Sequence, residues 1–328
     1  MHASLSWTEI NMPGFPALID LSALGSGGFV ILGDASLDAA GASVSSAGDV
    51  NGDGFDDLII GAPGGDDGGS YAGEAYVIFG KAGGFATVDL ATLAPADGFI
   101  IQGDAAGDRA GVSLSSAGDV NGDGYDDIIV GAPGGDDGGT DAGEAYVLFG
   151  KAGGFANIDL SNLAAADGFI IVGPDGSHEL GDRNGQTGHS VATAGDINGD
   201  GFDDLIIGTR YGDLSGLNAG EAYVLFGKAG GFTNIDLAAL APDAGFVIRG
   251  DDTFNYAGWS VSSAGDVNGD GLDDVIVGAR NSAACVVFGR VGGFTNIDVA
   301  SLAATDGCTI QGDDGAGFSV SSAGAGPP

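Results

Sequence analysis

Basic residues are scarce in this chain. Its 328 residues carry 9 Lys and Arg against 46 Asp and Glu, a net charge of −37. A surface of that sign repels nucleic acid and anionic membranes and makes cations its natural partners. Cysteine is nearly absent, with Cys285 and Cys308 alone, too few for a disulfide framework. No apolar run approaches the roughly 18 residues of a membrane span, so no membrane insertion is expected. The first residues, MHASLSWTEINMPGFP, show neither a basic stretch nor an apolar core, and no signal peptide is visible. The 66 glycines follow no Gly-X-Y period, which excludes collagen, and 44% hydrophobic residues suffice for a large core.

What the chain does contain is repetition. SVSSAGDVNGDG runs from Ser43 to Gly54 and again from Ser260 to Gly271, with close variants at Ser113–Gly124 and Ser190–Gly201. The acidic loops start at Asp49, Asp119, Asp196 and Asp266, spaced 70, 77 and 70 residues apart. Sixteen of the acids sit in these four loops, a concentration that a merely soluble or halophile-like acidic surface would not produce. Each unit holds four short apolar runs bounded by Gly, Pro or Asp, which is the signature of strands. In the second unit they are 111–119, 126–133, 143–150 and 167–173. The nearest approach to a helix is one turn after an Asp cap, as in DLATL at 89–93.

Four strands per unit of this length predict an all-β fold, a β-propeller of four-stranded antiparallel blades, with a solenoid of sheets as the rival. The Ser- and Ala-rich first run suits the crowded axis, and the aromatic runs suit the wider outer layers. Full blades are expected at 41–103, 111–173, 188–250 and 258–312 of a single domain spanning 1–328. Residues 1–33 read as the tail of a partial fifth blade, with Leu5–Ile10 as a weak third strand and Phe15–Leu24 as a copy of the FATVDLATL segment. Residues 316–324 read as a first strand. That blade lacks its second strand, so either closure is imperfect or the chain is part of a larger ring.

In the first loop, DVNGDGFDD, oxygen donors fall at alternate positions: Asp49, Asn51, Asp53, the carbonyl of Phe55, and Asp57. Gly52 and Gly54 permit the tight turn that lets them converge. An all-oxygen anionic set suits Ca²⁺, with Mg²⁺ requiring a tighter octahedron. Zinc is disfavoured because no His or Cys lies in any loop. Two carboxylates about 5 Å apart repel by roughly 3 kcal/mol at an effective dielectric near 20, so three converging ones call for a cation. Asp56 and its equivalents are expected to face solvent or to stand behind the ligands. An EF-hand opens with this spacing but needs a Glu at position 12, where Ile60 stands here. It also needs a following helix, as does a dockerin.

The unit from Gly41 to Pro63, GASVSSAGDVNGDGFDDLIIGAP, resembles the FG-GAP repeat of integrin alpha-chain propellers and of bacterial surface proteins. Gly61-Ala62-Pro63 and Gly131-Ala132-Pro133 match the motif in full. Elsewhere it departs: Ala-Gly opens the units at Ala40, Ala110 and Ala257, and Thr209-Arg210 and Ala279-Arg280 replace the ending. The resemblance implies Ca²⁺ in every loop, about four per chain. The further ligands it implies are Asp119, Asn121, Asp123, Tyr125 and Asp127; Asp196, Asn198, Asp200, Phe202 and Asp204; and Asp266, Asn268, Asp270, Leu272 and Asp274. It also implies a ring that usually has seven blades, of which four are complete here.

The remaining candidates carry less. GGDDGG at 64–69 and 134–139 reads as a mobile loop, with Asp66, Asp67, Asp136 and Asp137 open to a second cation or a partner. His2, His178 and His189 are expected at the surface. Cys285 takes the place of a tyrosine and Cys308 that of a phenylalanine on neighbouring strands, so a cross-strand disulfide and two buried thiols both stand as readings. No nucleophile with a matching base emerges from the spacing. The expected function is a non-enzymatic, calcium-binding, extracellular or cell-surface adhesion or interaction module. Its partner would be a protein or glycan held by variable loops. The alternative is an accessory or lectin-like domain of a secreted polysaccharide- or lipid-degrading enzyme.

Overall fold

The computed structural model describes Leu24 and residues 28–174, 185–281, 283–312 and 317–322. The expectations for Leu5–Ile10, most of Phe15–Leu24, His2 and His178 lie outside the described residues, as do positions 316, 323 and 324 of the C-terminal strand.

The chain folds into four antiparallel blades. A short strand β1 (Ile31–Leu32) precedes the first, which contains β2 (Ser43–Gly48), β3 (Asp57–Ala62), β4 (Glu74–Ile78), the two-residue β5 (Val88–Asp89) and β6 (Gly98–Gln102). The second holds β7 (Ser113–Gly118), β8 (Asp127–Ala132), β9 (Glu144–Leu148), β10 (Ile158–Asp159) and β11 (Gly168–Val172). The third holds β12 (Thr187–Gly195), β13 (Asp204–Thr209), β14 (Glu221–Leu225), β15 (Ile235–Asp236) and β16 (Gly245–Arg249). The fourth holds β17 (Ala257–Gly265), β18 (Asp274–Ala279), β19 (Ala284–Val287), β20 (Ile297–Asp298) and β21 (Gly307–Ile310). The all-β propeller architecture expected from the repeat is the one observed.

The second and third strands of a blade are apolar at successive positions because a neighbouring blade covers each face. Every residue of β8, β9, β13 and β14 is buried. Ile59, Val77, Ile128 and Val130 meet between the first and second blades. Further clusters lie between the second and third and between the third and fourth. On the leading side of the first blade the cover thins: Val44 is 69% exposed, whereas its counterpart Leu114 is 7% exposed.

The innermost strands are joined through serine. Ser43 Oγ donates to the Gly111 carbonyl at 2.6 Å, and Ser113 Oγ and Ser190 Oγ accept the amides of Val191 and Val261 at 3.0 Å. Small side chains allow this approach, and a Cβ on Gly61, Gly131 or Gly208 would overlap the backbone of the next blade. Residues 317–322 lie against β17 in the same manner, with Ser260 Oγ accepting the Val320 amide at 3.1 Å.

A two-residue strand in each repeat escaped sequence reasoning; it gives the first three blade sheets a fifth strand and leaves the fourth with four among the described residues. β5, β10, β15 and β20 pair in parallel with β1, β6, β11 and β16, the outermost strands of the preceding blades. Asn157 Oδ1 accepts the Ile100 amide at 3.1 Å, and Phe155 stacks on Phe99 with centroids 4.6 Å apart. Phe232 on Phe169 and Phe294 on Phe246 repeat the stack. The one-turn helices are 3-10 turns after each strap, such as Leu90–Thr92, whose cap Asp89 accepts the Ala91 amide. Each blade is thus strapped to its predecessor.

The cysteines are both free, Cys285 buried and Cys308 exposed. The strand register sets Cys308 opposite Val286 and Cys285 opposite Thr309. Adjacent strand residues point to opposite faces, so the disulfide reading fails although β19 and β21 are neighbours. Cys308 stands where Phe99 takes a stacking phenylalanine from the following blade, which explains its exposure.

Candidate metal centres

Each acidic loop leaves the first strand through a bulge, between Ser46 and Gly48 in the first blade. Gly48 has φ +74, and a Cβ there would overlap the Asp126 carboxylate. Beyond it the chain folds back on its own side chains. Asp49 Oδ1 and Oδ2 accept the amides of Asp53 and Gly54 at 3.0 and 2.9 Å. Asn51 Oδ1 accepts from Asp53 at 2.9 Å, and Asp53 Oδ1 from Phe55 at 3.0 Å. Asp119, Asn121 and Asp123, then Asp196, Asn198 and Asp200, then Asp266, Asn268 and Asp270 repeat this pattern.

The ninth loop position is fully buried in all four copies, as Asp57, Asp127, Asp204 and Asp274. Each carboxylate holds two amides. Asp127 takes Val120 at 3.1 Å and Gly150 at 2.8 Å, and Asp57, Asp204 and Asp274 take the equivalent pairs. Burial, with the neighbouring Asp123 and Asp119, pushes Asp127 up to about 8 despite those amides. Burial with Asp200 and Asp196 does the same to Asp204, also to about 8. Asp57 is raised to about 6, and Asp274 is raised as well, in each case chiefly by burial.

The donor set fits a hard cation. Carboxylate and amide oxygens predominate, and an oxygen that accepts one amide keeps a lone pair for an ion. Asp49, Asn51, Asp53, the Phe55 carbonyl and Asp57 would hold it in the first loop, and the corresponding residues in the other three. The ion would supply positive charge where three acids meet. Among the described residues, the one set of three or more such side chains whose ligand atoms all lie within 4.8 Å of one another is not in a loop; it is Asp34, Asp38 and Glu74. In the loops, backbone amides engage the acids one by one.

The eighth loop position stands behind the candidate ligands in three copies, but behind those of the neighbouring blade, which the sequence did not reveal. Asp126 Oδ2 accepts the amide of Asp49, in the preceding blade, at 2.8 Å. Asp203 takes Asp119 at 2.8 Å, and Asp273 takes Asp196 at 3.1 Å. These residues do not face solvent; each ties its blade to the first residue of the previous loop. Asp56, in the first blade, is exposed. The Asp-Asp doublet in every copy was the available signal, but its target lies 77 or 84 residues away. The seventh position adds to the latch: a Cβ on Gly52 would overlap the Tyr125 ring, and one on Gly122 the Phe202 ring.

At the opposite end of the blades, the GGDDGG segments are tied down. Asp66 Oδ1 accepts the Tyr71 amide at 2.9 Å, and Glu74 Oε1 the Asp67 amide at 3.0 Å, with Asp136 and Glu144 repeating both. His189, expected at the surface, is partly buried 5.2 Å from the Trp259 ring, and burial with nearby Arg210 lowers it to about 4. The guanidiniums of Arg210 and Arg280 both lie over the Trp259 ring, at 4.7 and 4.6 Å. These arginines occupy the positions where the GAP motif ends differently.

The FG-GAP repeat family model matches residues 40–78, 110–148, 187–225 and 257–292. The chain is 30% identical over 256 residues to integrin alpha pat-2 of Caenorhabditis briggsae, covering 74% of this chain and 18% of that protein. It is 34% identical over 173 residues to phosphatidylinositol-glycan-specific phospholipase D of Bos taurus, covering 52% and 18%. With integrin alpha-E of Mus musculus it shares 39% over 103 residues, covering 30% and 8%. It spans less than a fifth of the length of these relatives. Four matched repeats, each coinciding with the inner strands of one blade and its acidic loop, place the chain in the FG-GAP repeat, integrin alpha-like family.

Proposed function

We propose that the chain is a calcium-stabilised propeller module that presents a rigid loop face to a protein or glycan outside the cell. The observation that carries this reading is the fourfold recurrence of the acidic hairpin loop, wired to the next blade through Asp126, Asp203 and Asp273. A cation in such a loop cancels local repulsion and stiffens the joint between blades. Extracellular calcium is abundant enough to fill weak oxygen sites. The integrin alpha relatives support the adhesion role.

The presenting face is the opposite end of the blades, where Arg210, Trp259 and Arg280 form a stack. Trp and Arg are the residues most enriched at the energetic centres of protein interfaces. In a chain of net charge −37, this cationic and aromatic spot suits an acidic partner. The chain itself is read as non-enzymatic.

Calcium titration calorimetry with melting scans tests the proposal. About four ions per chain, one per loop, and a large melting loss in chelator are expected. A melting curve indifferent to chelator would remove the stabilising role. The similarity to the phospholipase D relatives favours a second reading, an accessory domain of a lipid- or glycan-cleaving enzyme. Glycan arrays and phospholipid panels separate the two: glycan binding without turnover supports a lectin-like accessory role, and turnover overturns the non-enzymatic reading.

A further inference from the structure

Asp34 and Asp38 lie in the segment leading into β2, and Glu74 opens β4, paired with Ala62 at the end of β3. This is the end of the blade away from the acidic hairpin loop. One carboxylate oxygen from each of the three lies within 4.8 Å of the others, which is about the diameter of a Ca²⁺ coordination sphere with ligands at 2.3–2.6 Å.

The partners of these acids do not balance them. Glu74, 1% exposed, is hydrogen-bonded by the Tyr76 hydroxyl at 2.6 Å and by the Asp67 amide. Asp38 is 6% exposed, and among the described residues no hydrogen bond reaches its carboxylate. Asp34 Oδ1 is buried without a partner. Besides Glu74, the charges acting on Asp38 are those of Asp34, Asp66 and Asp67, all negative. A buried polar atom lacking a donor is costly, and a buried charge more so.

The second blade carries the same residues at the same spacing, with Asp104 and Asp108 ahead of Glu144. Asp104 Oδ1 is again buried without a partner, and Asp108 is 3% exposed. The other two blades alter the set in a coordinated way. In the third, Gly185 stands at the place of Asp38, and the strand register sets Arg249 opposite Glu221, where Gln102 stands opposite Glu74. In the fourth, Asn255 replaces the aspartate and Ala283 the glutamate. Where the aspartate is lost, the glutamate either has an arginine opposite it in the strand register or is lost too.

We propose that Asp34, Asp38 and Glu74 form a divalent-cation site of a second kind, at the opposite end of the first blade from the acidic loops; Asp104, Asp108 and Glu144 repeat its residues in the second blade without the same convergence of oxygens. The site takes a hard ion such as Ca²⁺ or Mn²⁺ and welds the segment entering the first strand to the start of the third.

The test is diffraction from crystals of the full chain grown with Mn²⁺, combined with Ca²⁺ counting by equilibrium dialysis. An anomalous peak among Asp34, Asp38 and Glu74 is expected. Asp38→Asn should lose one bound ion while the hairpin loops keep theirs, and Asp53→Asn should lose a loop ion while this site keeps its own. Failure of the loops to bind would therefore leave this site readable. In chelator, Asp38→Asn should melt above the unaltered chain, because it removes a buried uncompensated charge; in Ca²⁺ it should melt below. If the variant does not fold, the Mn²⁺ map of the unaltered chain decides. A map with no peak among the three carboxylates, or an ion count unchanged by Asp38→Asn, overturns the proposal.

Discussion

The ninth loop aspartate combines complete burial with two amide bonds and two like-charged neighbours. Its raised affinity for protons has a measurable consequence. Between the unfolded value of about 4 and the folded values near 8 of Asp127 and Asp204, the folded chain binds more protons than the unfolded one. Stability must then fall as pH rises through that window, provided no cation is present. Melting temperature in chelator should therefore decline from about pH 4 to pH 8, and saturating Ca²⁺ should remove the decline. Asp127→Asn should flatten the curve in chelator; an unchanged slope would show that the residue is not the titrating group.

The eighth position supplies a matched pair of substitutions. Asp126→Ala removes the acceptor of the Asp49 amide, and the loss of a charge-assisted hydrogen bond should cost about 1.5–3 kcal/mol. Asp56→Ala, at an exposed aspartate, should lie within about 0.5 kcal/mol of the parent. Urea denaturation of the two variants measures the difference, and equal costs would contradict the inter-blade latch.

Among elements, the two-residue strap matters more than its length suggests. It offers the preceding blade a parallel strand pair, an asparagine acceptor and a stacked phenylalanine. Phe155→Ala should cost about 3–5 kcal/mol, because the ring packs on both Phe79 and Phe99. Asn157→Ala should cost about 1 kcal/mol through the lost bond to Ile100. The outermost strand of the fourth blade provides a chemical probe of the same region. Cys308 is exposed, while burial pushes the Cys285 thiol up to about 12. A thiol reagent applied to the native protein at neutral pH should label Cys308 promptly and Cys285 only on unfolding. Equal rates would mean that the fourth sheet opens readily.

At the scale of the whole molecule, 46 acids share one body with 9 bases. Several bases serve the joints: Lys81, Lys151 and Arg290 each bridge to an aspartate and lie over a phenylalanine ring of the strap. Self-repulsion is therefore met locally at the joints and, in the proposed function, by cations in the loops. Monovalent salt should raise the melting temperature in chelator by screening that repulsion, and the gain should shrink once Ca²⁺ is bound. A salt response identical with and without Ca²⁺ would separate the charge burden from the loops.

Composition and spacing alone determined the class of this protein. Recurrence of DxNxDG ahead of a β-branched run marked the hairpins, the number of blades and the oxygen-donor positions, because turn chemistry and strand alternation are local properties of consecutive residues. The straps, the Asp126 latch, the exposure of Cys308 and the gathering of Asp34, Asp38 and Glu74 were decided only by tertiary structure. Each depends on which strands lie side by side and in what register, so atoms that meet come from residues as far as 84 apart in the chain. No local pattern records that distance. The Asp-Asp doublets and the isolated aspartates before β2 and β7 acquire their meaning only when the stacked blades bury their oxygens and bring them to their partners or leave them without one.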